Sequence, residues 1–309
     1  MSLTGCGLFT NYDIPYDVNT NITAYSLNNK GNTSDNLKTF AYDLCVAGED
    51  VGTNKIDLSN AEAGILFDRS KKETLLSKNA NVKVHPASTT KIMTAYLALK
   101  YGKLDDVITA SSNVEIKESG AQLCGFKEGD KATLSQVLSA LLVYSGNDAA
   151  VMIAEYVSGS EEAFAKLMNE EAKALGATNT HFSNAHGLTE DSHQTTAYDL
   201  YLMFNAALKY DKFREIINLN NFTSSYTAKD GTPKKLDFAS TNRYLIGKAT
   251  APSGVTVVGG KTGTTDAAGS CLVLLSNGSN GDEYISVIMH SENKDTLYAN
   301  MTDLLSLQH

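Results

Sequence analysis

Residues 86–95 read Pro86-Ala87-Ser88-Thr89-Thr90-Lys91-Ile92-Met93-Thr94-Ala95 and combine a hydroxyl, an amine and an apolar stripe. Apolar side chains continue at helical spacing beyond them, which predicts a helix from about Thr89 to Lys100. Positions three apart lie on one helical face, so the Ser88 hydroxyl and the Lys91 amine can meet there. The segment therefore predicts a serine–lysine pair at the start of a helix.

This pair could act as a nucleophile and its base. A serine hydroxyl is a weak nucleophile and needs an adjacent base. Lys91 can be that base once its pKa falls from ~10.4 towards ~7–8, which burial and a second nearby cation would cause. The helix N-terminus would add backbone N–H groups beside Ser88, where an oxyanion develops. Taken alone, S-x-x-K is common, and a capping serine with a solvated lysine is the alternative.

A second motif, Ser145-Gly146-Asn147, comes directly after a predicted helix over Leu134–Tyr144 that Thr133 caps. A loop between two helices can point Ser145 and Asn147 into a cleft. A helix break with a cap at Asn147 is the alternative interpretation.

A third motif, Lys261-Thr262-Gly263-Thr264, follows a predicted strand over Val255–Val258 and the pair Gly259-Gly260. On an edge strand it would offer a cation, two hydroxyls and backbone N–H groups to an extended substrate. Gly263 would keep the strand face open for close approach. A Gly/Thr-rich turn is the alternative.

Predicted strands at both ends of the folded region enclose a run of helices. This order predicts an α/β or α+β architecture, with one antiparallel sheet flanked by helices and carrying an inserted helical region. We assign the folded domain to residues 39–309. The predicted strands are 63–68, 74–76, 255–258, 270–276 and 284–290, and the further predicted helices are 149–156, 161–175, 198–208 and 295–305.

Composition excludes several functional classes. The 309 residues carry a formal net charge of −9 and a pI of about 5.2, which argues against nucleic acid as a partner. No apolar run reaches the length of a membrane span. The four cysteines (Cys6, Cys45, Cys124 and Cys271) form no C-x-x-C pair, so a zinc or redox motif is not indicated, and a single disulfide stays open.

Residues 1–38 are rich in Asn, Ser, Thr and Tyr, and we interpret them as an N-terminal tether. Within them, Leu3-Thr4-Gly5-Cys6 resembles a bacterial lipobox, in which the cysteine becomes lipidated. A chance tetrapeptide is the alternative. If Cys6 carries lipid, the expected membrane association is peripheral and runs through that lipid alone.

The three motifs occur together in the order that characterises class A β-lactamases and penicillin-binding proteins. More specifically, the chain resembles the D-alanyl-D-alanine carboxypeptidases, the low-molecular-weight penicillin-binding proteins. The resemblance spans about Leu58 to Leu305 and implies a β-lactamase/transpeptidase-like fold. It rests on residues 86–95, Ser145-Gly146-Asn147-Asp148-Ala149-Ala150, Asn179-Thr180-His181-Phe182, His186-Gly187-Leu188, Thr196-Ala197-Tyr198-Asp199-Leu200 and Gly259-Gly260-Lys261-Thr262-Gly263.

This resemblance implies a role for each motif residue. Ser88 would attack the carbonyl between two terminal D-alanines of a peptidoglycan stem peptide, and Lys91 would take its proton. Ser145 would relay a proton to the leaving D-alanine under the influence of Lys261, while Asn147 holds the substrate backbone and the Lys91 amine. The substrate carboxylate would be received by Thr262 and Thr264, with Gly263 between them. The Ser88 and Thr264 backbone N–H groups would form the oxyanion hole.

The same resemblance implies an enzyme of the bacterial cell envelope, outside the cytoplasm, that needs no cofactor and no metal. β-Lactams would acylate Ser88. Spacing argues against a metal site among His181, His186, Asp191 and His193.

Three other functions stay open. A class A β-lactamase would need a deacylating glutamate in an E-x-x-x-N context, and none follows Asn147 at a suitable distance. A peptidoglycan endopeptidase would use identical residues. A non-catalytic, penicillin-sensing module could dispense with at least one of the catalytic positions, yet all of them are present.

Overall fold

Five antiparallel strands form the main sheet of the computed structural model, which describes residues 43–308. They run in the order β2-β1-β9-β8-β7, so the N-terminal hairpin lies beside the C-terminal strands. The predicted tether at 1–38 and Cys6 lie outside the described residues. The strands are β1 (Ala61–Asp68), β2 (Glu73–Lys78), β7 (Thr256–Thr265), β8 (Gly269–Asn277) and β9 (Glu283–Ser291).

Helices cover both faces of this sheet because its strands are apolar on both sides. Val287 joins the larger core with α1 and α5, whereas its neighbour Ile288 packs with α7 on the opposite face. The helices are α1 (Lys91–Tyr101), α2 (Leu134–Ser139), α3 (Asn147–Ser158), α4 (Glu161–Ala174), α5 (Ala197–Ala207), α6 (Asp211–Ile217) and α7 (Lys294–Leu305). Within residues 43–308, no helix combines the length and apolarity that crossing a membrane requires.

A second, four-stranded sheet lies in the segment between β2 and β7. Its order is β3-β4-β5-β6, formed by β3 (Val107–Thr109), β4 (Lys131–Thr133), β5 (Asn221–Thr227) and β6 (Pro233–Ala239). None of these strands was predicted, because most of their side chains are exposed and the apolar alternation is weak. Helix α6 was also missed.

The predicted fold class is confirmed: an antiparallel sheet is flanked by helices and carries an inserted, largely helical region. Two elements differ in detail. The helix predicted over 134–144 is α2 followed by a π-helical turn, Ala140–Tyr144. The strand predicted over 255–258 continues to Thr265. Gly260 had suggested that the strand ended there, but its backbone packs against the Val273 carbonyl, where a side chain would not fit.

Candidate active site

Ser88 lies in a 3-10 turn, Ala87–Thr90, that leads directly into α1. Both the amide and the hydroxyl of Thr89 donate to the Pro86 carbonyl, at 3.2 and 2.6 Å. Ala87 has a φ of 47°, a left-handed conformation that costs a non-glycine residue energy. The turn is therefore held in a strained shape that leaves Ser88 partly exposed.

Two glycines from other segments pack closely against this turn. A Cβ at Gly187 would lie 1.9 Å from the Ala87 carbonyl oxygen, and Gly187 itself has a φ of +90°. A Cβ at Gly263 would lie 3.0 Å from the Ser88 nitrogen. Because neither position has room for a side chain, the backbone of β7 and that of residue 187 can both touch the turn.

Lys91 points into the protein and is fully buried. Its Nζ atom lies 2.9 Å from Ser88 Oγ, 2.7 Å from Asn147 Oδ1 and 2.6 Å from the carbonyl oxygen of His186. The predicted contact between the hydroxyl and the amine one helical turn apart is present in this geometry.

The second motif begins where the π-helical turn ends. Ser145 adopts a left-handed conformation with a φ of 73°, and Gly146 packs so closely on Cys124 that a Cβ would lie 2.1 Å from its Sγ atom. Asn147 then starts α3, and its amide donates to the Gln122 carbonyl at 2.8 Å. The π turn thus directs Ser145 and Asn147 towards the same space, as is common for π-bulges at functional sites.

Asp148 ties this loop to the wall of the cleft. Its buried carboxylate accepts hydrogen bonds from the amides of Cys124, Gly125 and Phe126 at 2.9, 2.8 and 3.1 Å. Three charge-assisted bonds to consecutive amides fix the segment whose Gln122 carbonyl holds Asn147. No sequence argument had assigned this residue a role.

Lys261 lies on β7, which is an edge strand of the main sheet. Its Nζ atom donates to Ser145 Oγ at 2.8 Å and to the Thr262 carbonyl at 2.7 Å. The Thr262 hydroxyl lies 2.6 Å from the hydroxyl of Thr241, which also lines the cleft. The third motif therefore contacts the second through one ammonium–hydroxyl bond.

Burial changes the ionisation of both lysines. It lowers the pKa of Lys261 to about 7. Burial, followed by the nearby charge of Lys261, holds the pKa of Lys91 well below its usual value, against the opposing influence of Cys124 and Asp148. Because burial and the Lys261 cation both disfavour its charged form, Lys91 can act as a neutral amine.

All the predicted site residues meet at one cleft of about 900 Å³. The two lysines lie behind its wall, and the other six line it: Ser88, Ser145, Asn147, Thr262, Gly263 and Thr264. The geometry provides a hydroxyl with a buried amine beside it, a second hydroxyl–ammonium pair and an open strand edge. Such an arrangement can perform nucleophilic acyl transfer.

The histidines considered for a metal site have other partners. His193 is buried between Thr90 Oγ1 at 2.8 Å and the Ser183 amide at 3.1 Å. Burial, followed by electrostatic interactions with His186 and other nearby basic groups, lowers its pKa to about 3. Among residues 43–308, no three His, Cys, Asp or Glu side chains group so as to hold a metal ion. Cys45, Cys124 and Cys271 are free thiols.

Comparison with known proteins agrees with this geometry. Residues 50–293 match the D-alanyl-D-alanine carboxypeptidase family. The chain is 39% identical over 221 residues to the D-alanyl-D-alanine carboxypeptidase DacF of Bacillus subtilis, covering 69% of this chain and 53% of that protein. It is 36% identical over 265 residues to the D-alanyl-D-alanine carboxypeptidase DacC of Escherichia coli, covering 82% and 61%.

Among solved structures, that of the Streptomyces K15 DD-transpeptidase superposes with a TM-score of 0.74 at 27% identity. The superposition covers 80% of this chain and 96% of that one. The chain spans little more than half the length of the curated relatives described above.

Proposed function

The chain belongs to the D-alanyl-D-alanine carboxypeptidase family, and on that premise we propose that it removes the terminal D-alanine from peptidoglycan stem peptides through an acyl-enzyme on Ser88. One observation carries the proposal: the amine of the buried Lys91 lies 2.9 Å from the hydroxyl of the partly exposed Ser88. β-Lactams, which present a similar acyl group, would acylate the same oxygen.

Acylation begins with proton transfer from Ser88 Oγ to neutral Lys91 while the hydroxyl oxygen attacks the scissile carbonyl. The developing oxyanion accepts hydrogen bonds from the backbone amides of Ser88 and Thr264, which the close packing of Gly263 on the nucleophile turn brings together. Asn147 holds Lys91 on one side and offers its amide group to the substrate backbone on the other.

Departure of D-alanine requires a proton on its nitrogen. Ser145 supplies it, because its hydroxyl lines the cleft, and the Lys261 ammonium group, which donates to that hydroxyl, replaces the proton that Ser145 gives up. Thr262 and Thr264 receive the terminal carboxylate of the substrate, and the Lys261 amine donates to the Thr262 carbonyl beside them. Water then attacks the ester and passes its proton through Ser145 to Lys261, while Lys91 returns its proton to the Ser88 oxygen and restores the hydroxyl.

The cleft favours a peptidase over a class A-like β-lactamase. Of the described residues, Glu118 and Asp266 are the carboxylates that line the cleft, and both are exposed side chains without a hydrogen bond to the nucleophile. Within residues 43–308, the cleft lining around Ser88 includes no buried glutamate that could activate a deacylating water. The penicilloyl ester should therefore be long-lived, whereas an endopeptidase acting on cross-linked stem peptides would share this site unchanged.

Replacing the nucleophile tests the proposal. We expect Ser88→Ala to abolish both covalent labelling by a fluorescent penicillin and D-alanine release from a diacyl-Lys-D-Ala-D-Ala peptide, because it removes the oxygen that lies 2.9 Å from the Lys91 amine. Labelling is followed on denaturing gels and D-alanine by a coupled oxidase assay.

Ser112→Ala, which removes an exposed hydroxyl outside the cleft, is the matched control and should behave as wild type. Labelling that survives Ser88→Ala would refute the nucleophile assignment. A wild-type protein that is labelled yet releases no D-alanine would point to endopeptidase action or to a sensor.

A cell-wall substrate places the enzyme outside the cytoplasm, and we extend the proposal to attachment of lipid at Cys6, which the tetrapeptide Leu3-Thr4-Gly5-Cys6 supports. Fused to a lipoprotein signal peptide and produced in a bacterial host, the protein should incorporate labelled palmitate and sediment with membranes. Cys6→Ser should remove the label. Equal labelling of the two forms would argue against this attachment.

A further inference from the structure

The three contacts of Lys91 constrain where its lone pair can point. A neutral amine has two N–H groups and one lone pair. Of its neighbours, the His186 carbonyl oxygen and Asn147 Oδ1 can only accept hydrogen bonds, at 2.6 and 2.7 Å. Both N–H groups are therefore committed to these acceptors, and the lone pair faces the remaining neighbour, the Ser88 hydroxyl at 2.9 Å.

The position of the His186 carbonyl depends on contacts made outside the cleft. Glu161, the first residue of α4, places Oε1 3.2 Å from His186 Nε2 and accepts the Ala185 amide at 3.1 Å. The Leu188 amide donates to His186 Nδ1 at 3.1 Å, so the neutral ring carries its proton on Nε2, facing Glu161. One carboxylate thus holds both the ring of His186 and the backbone that precedes it.

Glu161 is ionised under the conditions in which the enzyme would act. Burial alone would raise the pKa of its carboxyl, but the hydrogen bond from His186, the electrostatic interaction with that ring and the Ala185 amide bring it below its usual value. Glu161 does not line the cleft, and its carboxylate is already engaged by the loop. Direct contact with a substrate is therefore not its role.

We propose that Glu161 is a positioning residue for catalysis: through His186 it fixes the carbonyl that orients the lone pair of Lys91 at Ser88. This inference rests on the proposed function, since it concerns the base of the same acylation step. It assigns a kinetic role to a side chain on a helix outside the cleft, separated from the nucleophile by His186 and Lys91.

The role predicts a specific kinetic signature for Glu161→Ala. A loosened His186 carbonyl orients the lone pair poorly, so the maximal acylation rate should fall by about 10- to 100-fold. The ammonium form of Lys91 also loses a charge-assisted acceptor, so its pKa should fall and the acid limb of the pH–rate profile should move to lower pH. The titratable groups that interact electrostatically with Lys91, namely Lys261, Cys124, Asp148 and His193, are unchanged in this variant.

The experiment measures acylation of full-length protein by a fluorescent penicillin between about pH 5.5 and 9, at several penicillin concentrations that separate binding from the acylation step. Glu161→Gln keeps an oxygen that can accept from both Ala185 and His186, and it should recover most of the rate. Glu162→Ala removes the neighbouring exposed carboxylate of the same helical turn and should match wild type.

The positioning role is supported if Glu161→Ala has a lower maximal acylation rate and an acid limb moved to lower pH, and if Glu161→Gln recovers most of that rate. A Glu161→Ala profile that coincides with that of Glu162→Ala overturns it. The positioning role is also overturned if the maximal acylation rate of Glu161→Ala falls only in proportion to its folded fraction and the acid limb of its pH–rate profile does not move. Thermal unfolding measures that folded fraction. Failure of wild type to be labelled would instead refute the proposed function.

Discussion

Lys91→Met should slow acylation by penicillin by about 10²- to 10⁴-fold, the usual contribution of a general base. Methionine has a similar length but no lone pair that can accept the Ser88 proton. The buried lysine lies behind the cleft wall and is not among the cleft-lining residues, so the non-covalent affinity for penicillin should change little. Stopped-flow or quenched labelling at saturating penicillin measures the step directly.

Lys100→Met is the matched control, because it removes a lysine from the same helix at a surface position paired with Glu171. That variant should acylate at the wild-type rate. A Lys91→Met rate that equals the control's would mean that another base acts on Ser88, and Lys261 acting through Ser145 would then be the candidate to test.

Gly187→Ala should reduce both stability and acylation. Its φ of +90° disfavours any L-residue, and the new Cβ would lie 1.9 Å from the Ala87 carbonyl oxygen, a backbone atom of the nucleophile turn. Relieving that contact requires moving the turn or the loop by more than an ångström. We expect acylation to fall by about 10²-fold, since displacements of this size misalign reacting atoms. Thermal unfolding and penicillin labelling measure the two effects.

Gly176→Ala is the matched control, because it introduces the same conformational strain without the steric clash. Gly176 has nearly the same φ, +87°, but a Cβ there would lie 3.8 Å from its nearest neighbour, the Leu202 side chain. This control should lose about 1–2 kcal/mol of stability from its left-handed conformation and keep full activity. Equal unfolding temperatures and rates for the two variants would show that the turn tolerates the added methyl group.

The reactive side chains could be predicted from sequence because each belongs to a short motif. Ser88 and Lys91 are one helical turn apart, so local geometry alone allowed them to meet. That Lys261 would contact Ser145 could not come from local geometry, because their contact depends on how β7 packs against the helical region. It was the family resemblance that implied their cooperation.

The supporting contacts could not be predicted in the same way. The His186 group that touches Lys91 is a backbone carbonyl, which every residue possesses, so no side-chain pattern marks it. Gly187 was a weak indication of the contact between Lys91 and the His186 carbonyl, since a glycine after His186 permits the left-handed turn that this contact needs. Glu161 lies 25 positions before His186 in sequence, and their contact is set by the packing of α4.

The main sheet imposes a condition on how the chain folds. Its central strand β9 bridges β1 and β8, and it pairs Ala61 with Ser291 and Ile65 with Val287. Loop closures of this length slow folding, and a growing polypeptide cannot complete them until β9 has left the ribosome. Until then the main sheet stays incomplete, and a chain without its sheet can pass through a narrow export channel more easily than the folded domain.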